Sequence, residues 1–271
     1  MFEMLRKDSD FPEPFPKGFI ILLNKPFSWS SFDVVNKVRY MLAKKLQLKA
    51  KKVKVGHAGT LDPLATGLLI LCVGDYTKRI ESLQVMPKCY TGVITFGATT
   101  ASYDLEKEPD TFFPTDHITN ELIQQTLPDF IGDIQQVPPV FSAIKIDGER
   151  IYKNARTGET VEIPFRQVRI DSFEVGELHP VSGKQDRQTD FAGKKSKIIM
   201  LHPDYEQGMQ IDFEVRCGKG TYIRSLANDL GQALGSGAYL SSLTRTETGG
   251  FKLEDAWEIE ELESWFERSS Q

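Results

Sequence analysis

The chain predicts an α+β fold built on a mixed, largely antiparallel central sheet flanked by helices and loops. Three observations lead there. Short apolar runs of strand character are mixed irregularly with amphipathic helical stretches and hairpins, without the strict alternation of a doubly wound domain. The 271 residues are 40% hydrophobic and 26% charged, which is ordinary for a globular protein with a substantial core. No internal repeat or long low-complexity tract interrupts the pattern.

Each element has its own signal. Residues 18–23 read as a short buried strand, closed by Asn24-Lys25-Pro26. Ser30-Ser31-Phe32-Asp33 resembles a capping box and opens a helix to about residue 48, with Val34, Val35, Val38, Met41, Leu42 and Leu46 as its apolar stripe. Residues 68–73 suit a central strand, 75–83 a helix and 89–96 the next strand. Thr119 caps a helix over about 120–130. Residues 137–146 resemble a strand despite Pro138-Pro139, 151–156 a short helix, and 161–175 one or two strands. The polar stretch over about 182–197 reads as an insertion between strands. Strands over 198–201 and 209–217 follow, then a helix over 222–234 stopped by Gly235 and Gly237. The expected organisation is an N-terminal extension (1–17), one main domain (18–251) and an acidic C-terminal helix (252–271) with Trp257, Leu262, Trp265 and Phe266 on its apolar side.

Composition narrows the setting. Cys72, Cys89 and Cys217 lie far apart with no CxxC pair, which favours a reduced cytoplasmic protein over a disulfide framework or a zinc site. The charged, Pro-rich start lacks a signal-peptide core, and the apolar run at 68–73 is too short to cross a bilayer. A soluble protein without membrane contact is expected. The net charge of −5 speaks against nucleic acid only on average, because residues 252–271 hold seven acids against two bases and so carry all of it. Lys37, Arg39, Lys44, Lys45, Lys49, Lys51, Lys52 and Lys54 form a positive segment with no acid among them. Such a run is either a solvated helix face or a phosphate-tracking surface.

That segment leads into Gly-His-Ala-Gly-Thr-Leu-Asp-Pro-Leu-Ala-Thr-Gly at 56–67. Asp62 is the only acid between Val34 and Gly74. Pro63 disfavours helix at the preceding residue, so Asp62 is held extended or in a turn. Leu61, Leu64 and Leu68 can anchor the loop, which leaves Asp62 either a presented reactive group or a turn residue bonded to its own backbone. Gly218-Lys219-Gly220-Thr221-Tyr222-Ile223-Arg224 marks a strand-to-helix junction; Gly220 stands where a Walker loop needs Ser or Thr. Tyr90 opens a strand and offers a stacking face with a polar tip.

The chain resembles the TruB-type tRNA pseudouridine synthases, which isomerise uridine 55 in the tRNA T arm. The resemblance runs in family order from about residue 18 to 250. It is carried by Leu22-Leu23-Asn24-Lys25-Pro26, by residues 54–67, and by Gly74-Asp75-Tyr76-Thr77-Lys78. Lys88-Cys89-Tyr90, Gln136-Val137-Pro138-Pro139, Phe141-Ser142-Ala143-Ile144-Lys145, Arg150-Ile151-Tyr152 and Ala155-Arg156 continue it. Cys217 to Leu226 and Leu243-Thr244-Arg245-Thr246 complete it.

The resemblance implies the pseudouridine synthase fold and a base-flipping isomerase that needs no cofactor and no metal. It implies that Asp62 is the catalytic carboxylate, with three routes open: addition to the sugar, addition to the base, or removal of the C2′ proton. Arg224 matches the arginine paired with that aspartate, Tyr90 the tyrosine stacked on the target base, and Tyr222, Lys25 and Leu243 further pocket positions. His57 matches the histidine that fills the gap in the RNA stack. Lys54, Lys78, Lys145, Arg150, Lys153, Arg156, Lys219 and Arg245 are expected RNA contacts, and 138–165 matches the family's mobile segment that clamps the T arm. The expected partner is tRNA, with no obligatory protein partner and a monomeric state. The PUA-type RNA-binding domain common in the family is not expected, since 252–271 read as one acidic helix. Rival readings are a non-catalytic RNA-folding module, a carboxylate hydrolase acting on a nucleoside or sugar, and the guide-RNA-dependent relatives of the family.

Overall fold

The structure, a computed structural model, describes residues 3–7, 17–139, 145–146, 149–150, 164–181 and 202–268. Its strands in chain order are β1 (Gly18–Lys25), β2 (Val55–His57), β3 (Thr66–Gly74), β4 (Lys88–Phe96), β5 (Ala98–Thr100), β6 (Pro109–Phe112), β7 (Gly132–Gln136), β8 (Lys145–Ile146), β9 (Glu149–Arg150), β10 (Arg166–Val175), β11 (His179–Pro180), β12 (Met209–Cys217), β13 (Ala238–Thr248) and β14 (Phe251–Lys252). Its α-helices are α1 (Ser31–Lys45), α2 (Ile80–Gln84), α3 (Asn120–Thr126), α4 (Ile223–Ala233) and α5 (Ile259–Arg268). The chain divides into two compact units: among the described residues, 3–90 and 244–268 belong to one, and 91–243 to the other.

In the first unit, β1 and β3 pair antiparallel from Gly18↔Gly74 to Lys25↔Gly67. Both strands are buried along nearly their whole length, the mark of a sheet covered on both faces. Phe19, Ile21, Leu23, Leu69, Leu71 and Val73 point to one face, where the apolar stripe of α1 and the Ile259, Leu262, Trp265 and Phe266 side of α5 cover them. Ile20, Leu22, Leu68, Ile70 and Cys72 point to the other, against Ala58, Leu83 and Ala256. Trp257 packs 5.7 Å from Trp265, and Trp29 lies against the same core. Ser30 caps α1 as the sequence suggests: its hydroxyl accepts from Asp33 N, and Asp33 accepts from Ser30 N. The helix ends at Lys45, three residues short of the expectation, because Gln47 turns to a φ of 51°.

The remaining edge of β3 is divided. β2 pairs with it at Val55↔Val73 and His57↔Leu71, while β13 runs parallel at Thr244↔Thr66 and Arg245↔Gly67. Gly67 has a φ of 101°, and a Cβ there would collide with the Arg245 backbone.

In the second unit, β10 pairs antiparallel with β7 (Arg166↔Gln136) and β12 (Val175↔Phe213), and β11 adds to β12. Thr119 caps α3 by accepting from Leu122 N, and a 3-10 turn over Leu127–Phe130 completes the expected helical stretch. Of the strand expected over 137–146, residues 137–139 are irregular, since Pro138-Pro139 lack the backbone donors a ladder needs, Lys145–Ile146 form β8, and 140–144 lie outside the described residues; a further ladder strand, β7, lies earlier at Gly132–Gln136. The expected helix over 75–83 is a 3-10 turn (Asp75–Arg79) followed by α2. The readings for 151–156, 182–197 and 198–201 fall outside the described residues, as do most of 138–165 and 1–17.

Gly67→Ala is expected to lower unfolding stability by more than about 1 kcal/mol, since it brings both strain at positive φ and a backbone clash. A urea titration showing an unchanged midpoint would contradict this.

Candidate active site

The Asp62 loop is fixed from below by main-chain and buried side-chain contacts. Ser31 Oγ accepts from Leu61 N at 2.9 Å and donates to Leu61 O at 3.2 Å, which ties the loop to the first turn of α1. Ala58 N donates to Ile70 O at 2.9 Å, and Ala65 N to Asp62 O at 3.1 Å, closing a turn over Pro63-Leu64. Leu61 and Ala65 are buried, and Asp62 between them is half-buried.

Two buried cations complete the support. Arg245, 1% exposed, donates through Nε to Leu68 O (2.7 Å) and through Nη2 to Gly59 O (3.2 Å), filling the stretch of β3 that neither β2 nor β13 pairs. This corrects its expected role as an RNA contact: the side chain is buried inside the unit and bonded to its main chain. Lys25, fully buried, donates to the carbonyls of Pro26 (2.8 Å), Trp29 (2.7 Å) and Pro63 (3.3 Å). An ammonium has three donors, and each has an acceptor here. Burial lowers the Lys25 pKa to about 7; the negative charge of Asp62 pulls it upward, and Arg245 pushes it down. Burial likewise lowers the His57 pKa, opposed by a backbone hydrogen bond at Gly59 and reinforced by Arg245.

Tyr90, also in this unit, is 8% exposed at the start of β4. Lys54 and Lys78 are exposed, and Lys78 pairs with Asp75 at 2.8 Å.

The second unit holds the other candidates. Arg224, 3% exposed, lies in the first turn of α4. Its Nη1 stands 3.4 Å from Asp104 Oδ2 and donates to Ser102 O at 3.2 Å. Asp104 Oδ1 accepts from Ser102 Oγ (2.6 Å) and Glu106 N (3.0 Å), so the carboxylate is oriented before it meets the guanidinium. Sequence reasoning missed Asp104; the available signal was Ser102 two residues before an acid, a pattern for local side-chain bonding. Gln136 grips Tyr222, accepting from its N (2.7 Å) and donating to its carbonyl (3.0 Å). Leu243 is buried and Lys219 exposed. Lys145 and Arg150 are described only as backbone partners in β8 and β9, and Lys153 and Arg156 lie outside the described residues. Among the described residues no group of three or more His, Cys, Asp or Glu is arranged to hold a metal ion.

A mixed α+β sheet with a lone carboxylate on a buttressed Gly-rich loop defines the class, and comparison with known proteins specifies it. Residues 44–223 match the model of the TruB family pseudouridylate synthase N-terminal domain, and residues 224–271 that of the tRNA pseudouridylate synthase B C-terminal domain. The chain belongs to the TruB pseudouridine synthase family. It is 47% identical to the tRNA pseudouridine synthase B of Flavobacterium johnsoniae over 248 residues, 92% of this chain and 96% of that one. It is 45% identical to that of Phocaeicola vulgatus over 254 residues, 94% of this chain and 95% of that one. Among solved structures, the crystal structure of a Cbf5-Nop10-Gar1 complex aligns with a TM-score of 0.57 and 25% identity, covering 99% of this chain and 65% of that one. The fold expectation of a pseudouridine synthase is met.

Three outcomes test this geometry. Asp62→Asn removes the anion that supports the Lys25 cation, so NMR titration of the Lys25 side chain should move to lower pH than the wild-type value of about 7; an unmoved or raised titration would refute the coupling. In the same wild-type chain the unfolded Lys25 binds its proton up to about 10.5, so its unfavourable contribution should fade as pH rises from about 7 to 10.5. Separately, Asp104→Ala removes a carboxylate that stands 3.4 Å from the buried Arg224 guanidinium, and a lower midpoint in chemical denaturation is expected.

Proposed function

We propose that this chain isomerises uridine to pseudouridine in tRNA, at position 55 of the T loop. Support comes foremost from its near full-length similarity to two chains called tRNA pseudouridine synthase B. The half-buried Asp62, held on a rigid loop, is the observation in this molecule that gives the reading its chemistry.

The reaction breaks the C1′–N1 bond, turns the uracil and joins C1′ to C5; N1 regains a proton and C5 loses one. Nothing is oxidised and no atom is gained. The sugar carbon turns electron-poor as the base departs, much as in glycoside cleavage, where a carboxylate assists. Asp62 is that carboxylate. A target base inside a folded arm must be flipped out, at a cost of a few kcal/mol, and stacking on Tyr90 returns roughly 1–3 kcal/mol of it. Lys25 acts from beneath: it anchors the Pro63 carbonyl and couples electrostatically to Asp62. Arg224, Tyr222 and Leu243 take supporting roles. The protein acts on tRNA as a monomer, without a protein partner.

Asp62→Asn should bind an unmodified tRNA transcript with wild-type affinity and yield no detectable pseudouridine. Product formed by that variant would remove Asp62 from the mechanism, and failure of the purified wild-type protein to convert the transcript by itself would reject the whole reading.

A further inference from the structure

The first unit carries a groove of about 610 Å³ on the side of the sheet edge held by β2. Arg39 and Tyr40 of α1, Lys51 and Lys54 of the following connection, Val55 of β2 and Thr77 are among the residues lining it. Three of these are cations, and among the described residues no carboxylate lines it.

The partition of charge around α1 singles this groove out. The helix is basic on two sides, but on one of them α5 supplies the counter-charges: Lys37 meets Glu263 at 2.7 Å and Lys44 meets Glu267 at 3.6 Å. The acidic C-terminal helix thus neutralises one side of α1 and leaves the groove side to Arg39, Lys51 and Lys54. Arg39 is set in place rather than loose, with Nη1 donating to Asn36 Oδ1 (2.8 Å) and Nη2 to Val55 O (3.2 Å). Tyr40 is 66% exposed on the groove wall, and Phe32, 59% exposed, lies to one side of Arg39 with its ring centroid 6.0 Å from the guanidinium. Two exposed lysines and a fixed arginine beside exposed aromatic rings, on a chain whose net charge is negative, are the composition of a nucleic-acid surface.

Position fits as well. Lys25, beneath the Asp62 loop, pairs with Gly67 at one end of β3, and Val55 in the groove pairs with Val73 near the other. At about 3.3 Å per residue the groove lies roughly 20 Å along the strand from the loop. That separation is several nucleotides, beyond the reacting uridine and its immediate neighbours.

We infer that this groove binds the phosphodiester backbone of the substrate RNA, as a sequence-independent anchor for the strand away from the reacting base. The inference rests on the reading of the chain as an RNA-modifying enzyme. Phosphate contacts fix register without reading bases, and removing one such cation should lower the slope of log affinity against log salt by about 1.

The test uses Lys51→Glu, Lys51→Arg and Tyr40→Ala, all at exposed positions, with an unmodified tRNA transcript. Lys51→Glu should raise KM five- to tenfold at unchanged kcat and make the salt dependence of binding shallower by about one counterion. Lys51→Arg should keep wild-type values, and Tyr40→Ala should raise KM with little change in salt slope. A Lys51→Glu enzyme with wild-type KM and slope, or one that loses kcat instead, overturns the inference while leaving the activity reading intact. Absence of pseudouridine from the wild-type reaction would count against the activity reading itself.

Discussion

Burying a cation is costly unless it is hydrogen-bonded, and the Asp62 loop depends on two buried cations that donate to main-chain oxygens. Lys25 and Arg245 are both essentially inaccessible, and the oxygens they bond are main-chain carbonyls: Gly59 and Pro63 of the loop, Leu68 of β3, and Pro26 and Trp29 of the segment before α1. The loop is short of regular strand pairing, and Lys25 joins Ser28 N in bonding Pro63 O while Arg245 bonds Gly59 O. Loop and cations satisfy each other. The result is a carboxylate whose backbone is fixed by side chains instead of by a strand ladder.

This arrangement separates rigidity from charge balance. Lys25 couples electrostatically to Asp62, which raises its pKa, and to Arg245, which lowers it. Ser31 adds a mechanical link, because its hydroxyl both donates to and accepts from Leu61. The first turn of α1 therefore serves twice: Ser30 caps the helix while its neighbour holds the loop.

Much of this was legible in the sequence where one local rule was decisive. The buried strand at 18–25, the Ser30 cap, the Thr119 cap and the helix stopped at Gly235 each follow from a short pattern. The isolated acid before Pro63 pointed to the loop. What escaped was non-local. β13 carries Ser241, Ser242, Thr244, Arg245 and Thr246, too polar to read as a strand, and becomes one only because β3 and its neighbours offer a ladder. Arg245 looked like a surface cation because nothing near it in sequence reveals that the β3 edge has a gap. Asp104 was invisible for the same reason: its partner Arg224 is more than a hundred residues away. The strand expected from 137 does not start there, because Pro138 and Pro139 withhold the donors a ladder needs and the ladder before them ends at Gln136.

The tryptophans have an uneven distribution with a practical consequence. All three in the chain, Trp29, Trp257 and Trp265, lie in the unit that contains the Asp62 loop, around the core shared by α1, α5 and the sheet. Intrinsic indole emission therefore observes that half alone. A transition followed by fluorescence reports when the carboxylate's scaffold melts and is silent about the half that holds Arg224, so a second optical signal, such as far-ultraviolet dichroism, would separate the two events.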